Sequence, residues 1–129
     1  MGESVGPALA KKLISTLGAS GVAIQGVTYT ASIASNIDMG SKGGPVMAQL
    51  AQKALKQCPS TKVAISGYSQ GGEVCHYAVK SAGLSPDDVA AAVIYGDPED
   101  GTSVGSLPSN KLKEFCGRLS LAHIELHNC

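Results

Sequence analysis

Lys62-Val63-Ala64-Ile65-Ser66-Gly67-Tyr68-Ser69-Gln70-Gly71-Gly72 is the stretch on which the fold turns. Lys62 to Ser66 centres on Val63, Ala64 and Ile65, an apolar run that predicts a short buried strand. Gly71 to Ala82, carrying Val74, Ala78 and Val79, predicts a helix. Between them Ser69 stands in a Gly-x-Ser-x-Gly pentapeptide. A sharp strand-to-helix turn pushes such a serine into a strained conformation above the sheet, and the flanking glycines remove Cβ atoms that would clash. A serine hydroxyl is a poor nucleophile unless it is exposed, aligned with a base, and beside donors that stabilise an oxyanion. The turn meets the first need, and the helix N-terminus aims the Gln70 backbone N–H at the reacting centre. Ser69 is therefore the candidate nucleophile and Gln70 a candidate oxyanion donor. The competing expectation is a glycine-rich turn whose serine caps the helix.

Upstream, Val5, Leu9, Leu13 and Leu17 recur every four residues, with Lys11 and Lys12 off that stripe. This spacing predicts an amphipathic helix, with Ser4 as cap, Pro7 in the first turn and Gly18 at the end. Val22 to Val27 predicts a short buried strand, and 28–42, polar and glycine-bearing, a long loop. Pro45 opens a second helix with an inner face of Val46, Met47, Leu50, Ala51, Ala54 and Leu55, and Pro59 stops it. Downstream, Ser85-Pro86-Asp87-Asp88 is a cap signal before Val89 to Tyr95, a strand apolar enough to be buried on both faces. A loop with Gly101, Gly105 and Pro108 leads to a last short strand, Lys111 to Phe115. The alternation α-β-α-β-α-β-β implies an α/β fold, a mostly parallel sheet with helices on both faces.

The 129 residues fit one domain, 1–129, with one core. Hydrophobic residues make up 43% and charged ones 16%, which excludes a disordered chain. With no Trp and one Phe, the core must rely on Val, Ile, Leu and Ala. Ten basic and ten acidic side chains cancel, which argues against nucleic acid or an anionic membrane as the main partner. No apolar stretch approaches the roughly 18 residues that span a bilayer, and the first residues carry no secretory signal pattern. Cys58, Cys75, Cys116 and Cys129 are compatible with two disulfides in three pairings.

Ile24-Gln25-Gly26-Val27, Cys58-Pro59 and Val63 to Gly72, followed by Val93-Ile94-Tyr95-Gly96-Asp97-Pro98 and Lys113-Glu114-Phe115-Cys116, come in an order and spacing that resemble the fungal cutinase and acetylxylan-esterase family. The resemblance runs roughly from residue 4 to residue 117. It implies a small, lid-less α/β-hydrolase, secreted, disulfide-bonded and monomeric. The implied activity is hydrolysis of carboxylic esters, with cutin-type polyesters, short acyl esters or acetylated xylan as substrates and no cofactor or metal. Carried over, Ser69 is the nucleophile, the Gln70 backbone N–H an oxyanion donor, and His123, in an Ala-His pair like the family's, the base.

The chain departs from the family pattern in three places. Members begin with a cysteine-bearing strand and a turn whose serine or threonine is the second oxyanion donor, whereas this sequence starts at Met1-Gly2-Glu3. Loss of one such donor typically lowers turnover about 100- to 1000-fold. The family's Gly-Asp run after the cysteine, which holds the catalytic acid, is replaced by Gly117-Arg118-Leu119-Ser120, and nothing matches the last family helix. The chain is thus expected to be a truncated member, and a catalytically impaired remnant or binding module is the alternative function. Asp97 is a weaker candidate acid, against the expectation that Gly-Asp-Pro is a turn with the aspartate bonding local N–H groups. Glu125 ranks below it, being local to His123. His76 is expected to face solvent or pack. His123, His127, Cys129 and Cys116 have a spacing that zinc could use, without an opposing Cys-x2-Cys pair. The plainer expectation is an amphipathic tail whose Cys129 pairs with Cys116.

Overall fold

The computed structural model describes residues 5–31, 38–121 and 124–128. In chain order these form helix α1 (Gly6–Leu17), α2 (Gly44–Gln57), strand β1 (Val63–Tyr68), α3 (Gln70–Lys80), β2 (Val89–Tyr95), β3 (Leu112–Phe115), β4 (Gly117–Leu121) and β5 (Ile124–Asn128). β1, β2 and β3 make one parallel sheet in that order, with Ile65 opposite Ala92 and Tyr68 opposite Tyr95. β4 and β5 form a separate antiparallel pair, where the sequence reading expected an amphipathic tail.

Side chains alternate across a strand, and that alternation sorts the layers. Ile65, Ala92 and Ile94 turn to the face where α3 brings Val74, Cys75 and Ala78, and α2 brings Met47, Ala48 and Ala51. The two helices approach closely because Gly44 has no side chain; a Cβ there would lie 2.5 Å from the Tyr77 ring. Val104 and Leu107, from the long loop between β2 and β3, close the same core. Apolar burial of this kind contributes about 25 cal/mol per Å2 removed from water.

The opposite face of the sheet is different. Ala64, Ser66, Tyr68, Ala91 and Val93 open onto a cavity of about 400 Å3, and Val5, Leu9 and Leu13 of α1 line its far wall. Residues 23–27 line it as well. The expected strand Val22–Val27 is therefore corrected: the segment is extended at Val22 but joins no ladder. Its composition suits a strand, yet a strand exists only through pairing. The segment and β1, the outer strand of the sheet, both line the cavity.

Helix ends follow local chemistry with one exception. Gly18, at φ 84°, ends α1 through its N–H to the Ile14 carbonyl. Cys58 closes α2 just before Pro59, and Ser85 accepts the Asp87 N–H ahead of β2. The cap expected at Ser4 is not the one found. Val5 occupies the N-cap of α1 without a side-chain bond, since its hydrocarbon side chain has no acceptor, and Pro7 in the first turn leaves one N–H fewer to satisfy. Ser4 itself lies outside the described residues.

Candidate active site

β1 runs into α3 through one residue, and that residue is Ser69. Its backbone lies at φ 51° and ψ −119°, one of two positive-φ non-glycine positions among the described residues, with Met39. A conformation this rare for an L-residue costs about 1–3 kcal/mol and persists only where neighbours over-determine it. Two bonds do so here. The Ser69 N–H donates to the Tyr95 carbonyl at 2.9 Å, prolonging the β1–β2 ladder, and the Gly72 N–H donates to the Ser69 carbonyl at 2.7 Å, beginning the helix.

The glycines divide the work unevenly. A Cβ on Gly67 would fall on the Gly71 carbonyl, so that position needs its hydrogen. A Cβ on Gly71 would meet nothing closer than the Tyr29 hydroxyl at 3.6 Å, an ordinary contact, so the expected clash at Gly71 is absent. Gly72 takes that place: a Cβ there would lie 2.8 Å from Ile94 Cγ2 and 2.9 Å from Asp97 Oδ1. The Ser69 side chain forms no capping bond, which removes the plain helix-cap explanation of the serine. Gln70, the first residue of α3, is half-buried beside it.

His123, the candidate base, lies outside the described residues. Glu125 lies in β5, paired in register with Ser120. Asp97 is fully buried, and its carboxylate is occupied on both oxygens. Oδ1 accepts the Glu99 N–H at 3.0 Å, the local turn bond expected of Gly-Asp-Pro, and Oδ2 lies 2.8 Å from His76 Nε2. His76 thus packs inside the molecule and not toward solvent.

Two features escaped the sequence. Tyr29, in the segment read as a polar loop, lies over the first turn of α3, and burial, then the charges of Cys75 and Glu73, push its hydroxyl pKa up. A lone aromatic in a polar stretch was the available signal. The second is an aromatic row at the carboxyl ends of the three parallel strands. Tyr68 pairs with Tyr95 and Tyr95 with Phe115, and the last two rings stack at 5.1 Å. Tyr68 and Phe115 are exposed at 53% and 46%. The row stands at the same strand end as Ser69, and exposed apolar rows of this kind are where apolar ligands bind in general.

Comparison with known proteins bears on this geometry. The family model described as Cutinase matches residues 1–119. The chain belongs to the cutinase family. It is 44% identical to cutinase 4 of Emericella nidulans over 116 residues, and 41% identical to a cutinase of Monilinia fructicola over 118. Each match takes in 90% of this chain but 50% and 58% of those cutinases, so the chain spans about half the length of the curated relatives it matches. Among solved structures, a Trichoderma reesei cutinase in complex with a phosphonate inhibitor superposes with a TM-score of 0.76 at 31% identity, covering 87% of this chain and 52% of that one. The parallel sheet, the helices and the turn at Ser69 are thus cutinase-like, an α/β-hydrolase architecture.

Proposed function

We propose that this chain is a secreted serine esterase acting, through an acyl-enzyme on Ser69, on carboxylic esters of the cutinase substrate class: cutin-type polyester, short acyl esters or acetylated xylan. The observation that carries the proposal is the Ser69 backbone at φ 51° and ψ −119° between β1 and α3, held there although no capping bond requires it. Membership of the cutinase family supports the same chemistry.

In the proposed reaction Ser69 Oγ attacks the ester carbonyl carbon while His123 takes the hydroxyl proton. The carbonyl π electrons move onto oxygen, and the Gln70 backbone N–H, at the positive end of α3, stabilises that oxyanion. Collapse of the tetrahedral adduct expels the alcohol, which leaves with the proton from His123. Water then attacks the acyl-serine with His123 as base and returns the free acid and Ser69. The acyl chain is proposed to lie along the aromatic row and the cavity mouth at Tyr68. Extracellular location and a Cys116–Cys129 bridge belong to the same proposal, through family and sequence respectively. No helix of the described residues is long and apolar enough to cross a membrane.

One observation favours the alternative, an impaired cutinase-like chain. Asp97, the weaker candidate acid, is committed to His76 and the Glu99 N–H. A serine without its acid keeps some catalysis, but orders of magnitude less. Hydrolysis of p-nitrophenyl butyrate by the purified chain and by Ser69→Ala separates the two. Release by wild type that vanishes in the variant supports the esterase, whereas equal release by both excludes Ser69 as the nucleophile.

A further inference from the structure

His76, Asp97 and Glu114 take no step in the ester reaction proposed above, yet they meet from three elements. His76 comes from the middle of α3, Asp97 follows β2, and Glu114 sits in β3. Each offers one ligand atom, and these atoms all lie within 4.8 Å of one another. His76 and Asp97 are fully buried. Two atoms in the group, His76 Nδ1 and Glu114 Oε1, are buried without a hydrogen-bond partner. Buried polar atoms are almost always satisfied, so Glu114 Oε1 asks for a further ligand, while His76 Nδ1 lies on the ring edge turned toward Glu99.

Charge points the same way. Glu73, Asp97, Glu99 and Glu114 surround a single imidazole and the Lys80 ammonium, which lies 2.7 Å from Glu99 Oε2. Burial first, and then neighbouring carboxylates, push Glu73 up, and burial and its bond to Asp97 push Glu114 up. Buried carboxylates in such surplus require a proton or a cation. The imidazole argues for a first-row transition ion over Mg2+ or Ca2+, which prefer oxygen ligands throughout.

We propose that His76 Nε2, Asp97 and Glu114 bind a divalent cation of the zinc class in the interior, between α3 and the carboxyl half of the sheet. Ligand bonds of about 2.0–2.2 Å to a tetrahedral ion set ligand atoms about 3.3–3.6 Å apart, so His76 Nε2 and Asp97 Oδ2, now 2.8 Å apart, must part slightly, while any pair near the 4.8 Å limit of the group must close. An outer-shell partner lies nearby, a short movement from hydrogen-bond distance. With Nε2 on the metal, Nδ1 carries the hydrogen and faces Glu99 Oε2 at 3.7 Å, while Lys80 holds that carboxylate from the other side. A ligating histidine that donates its second N–H to a carboxylate is the usual arrangement at zinc sites. Carboxylates ligate in the deprotonated form, so binding competes with protons and weakens in acid. The site is independent of the esterase proposal, and its readout is metal binding.

The test is zinc titration of the chelator-treated full chain by calorimetry, with metal analysis and a thermal melt. The expected result is one equivalent bound, a higher melting temperature, and weaker binding at pH 5 than at pH 7.5. Glu114→Gln, which keeps the shape of the side chain, is expected to abolish that equivalent. Glu99→Gln is expected to weaken binding about 10- to 100-fold, as for other outer-shell partners. Failure of the folded wild type to bind zinc would overturn the proposal. So would zinc bound equally by wild type and Glu114→Gln, which would place the ion elsewhere.

Discussion

Gly67 and Gly72 hold the Ser69 turn more tightly than Gly71 does, because their missing Cβ atoms would meet backbone or packed side chains. Gly67→Ala is therefore expected to destabilise the fold by about 1–3 kcal/mol, the usual range for overpacking, while Gly71→Ala stays within about 0.5 kcal/mol. Urea denaturation of the two variants checks the difference. The pentapeptide made Ser69 legible in the sequence, since few other contexts place glycines around a serine between a strand and a helix. Gly72 was not legible, because its neighbours, Ile94 and Asp97, are distant in the chain. Cysteine reactivity separates at the same scale. Burial, helped by the Asp97 charge, raises the Cys75 thiol from the ordinary 9.0 to about 12, while Cys58 is exposed. Reactivity follows the thiolate and its access. Iodoacetamide at pH 8 is expected to modify Cys58 in the folded protein and Cys75 after unfolding, as read by peptide mass spectrometry.

Among the elements, β2 was read from Val89 to Tyr95 without error, since seven residues of nearly unbroken apolar character leave little choice. Val22 to Val27 has comparable character and forms no strand. The difference is a partner, which no local pattern encodes. The loop between β2 and β3 shows the converse: it was read as a loop from its Gly101, Gly105 and Pro108, yet Val104 and Leu107 are core residues. Gly105, at φ 56°, lets the chain turn in against Val79. Packing quality differs between the two faces of the sheet, and that difference is measurable. Ile94 is fully buried among α3 side chains, so Ile94→Ala is expected to cost about 2–5 kcal/mol. Leu13 borders the cavity and is half-buried, so Leu13→Ala is expected to cost under about 1 kcal/mol. Equal losses would mean that α1 packs on the sheet as α3 does.

For the whole molecule, the α/β class followed from alternation alone, and the family from a few ordered motifs. The candidate site was half legible: the nucleophile turn is local in sequence, whereas the base and acid of such a site come from distant segments. The buried carboxylate and histidine group was invisible, because α3, β2 and β3 bring it together only in three dimensions. The raised thiol of Cys75 also sets a global property. Its folded value lies above the unfolded one, so its contribution is intact below pH 9 and is lost as pH rises toward 12. Thermal melts are expected to fall over that window and to fall less in Cys75→Ala. The central claim concerns Ser69, and labelling by a fluorophosphonate probe followed by peptide mass spectrometry tests it most directly. Modification is expected at Ser69 in the folded wild type and nowhere in Ser69→Ala. A folded wild type left unlabelled, or a variant labelled to the same extent, would contradict it.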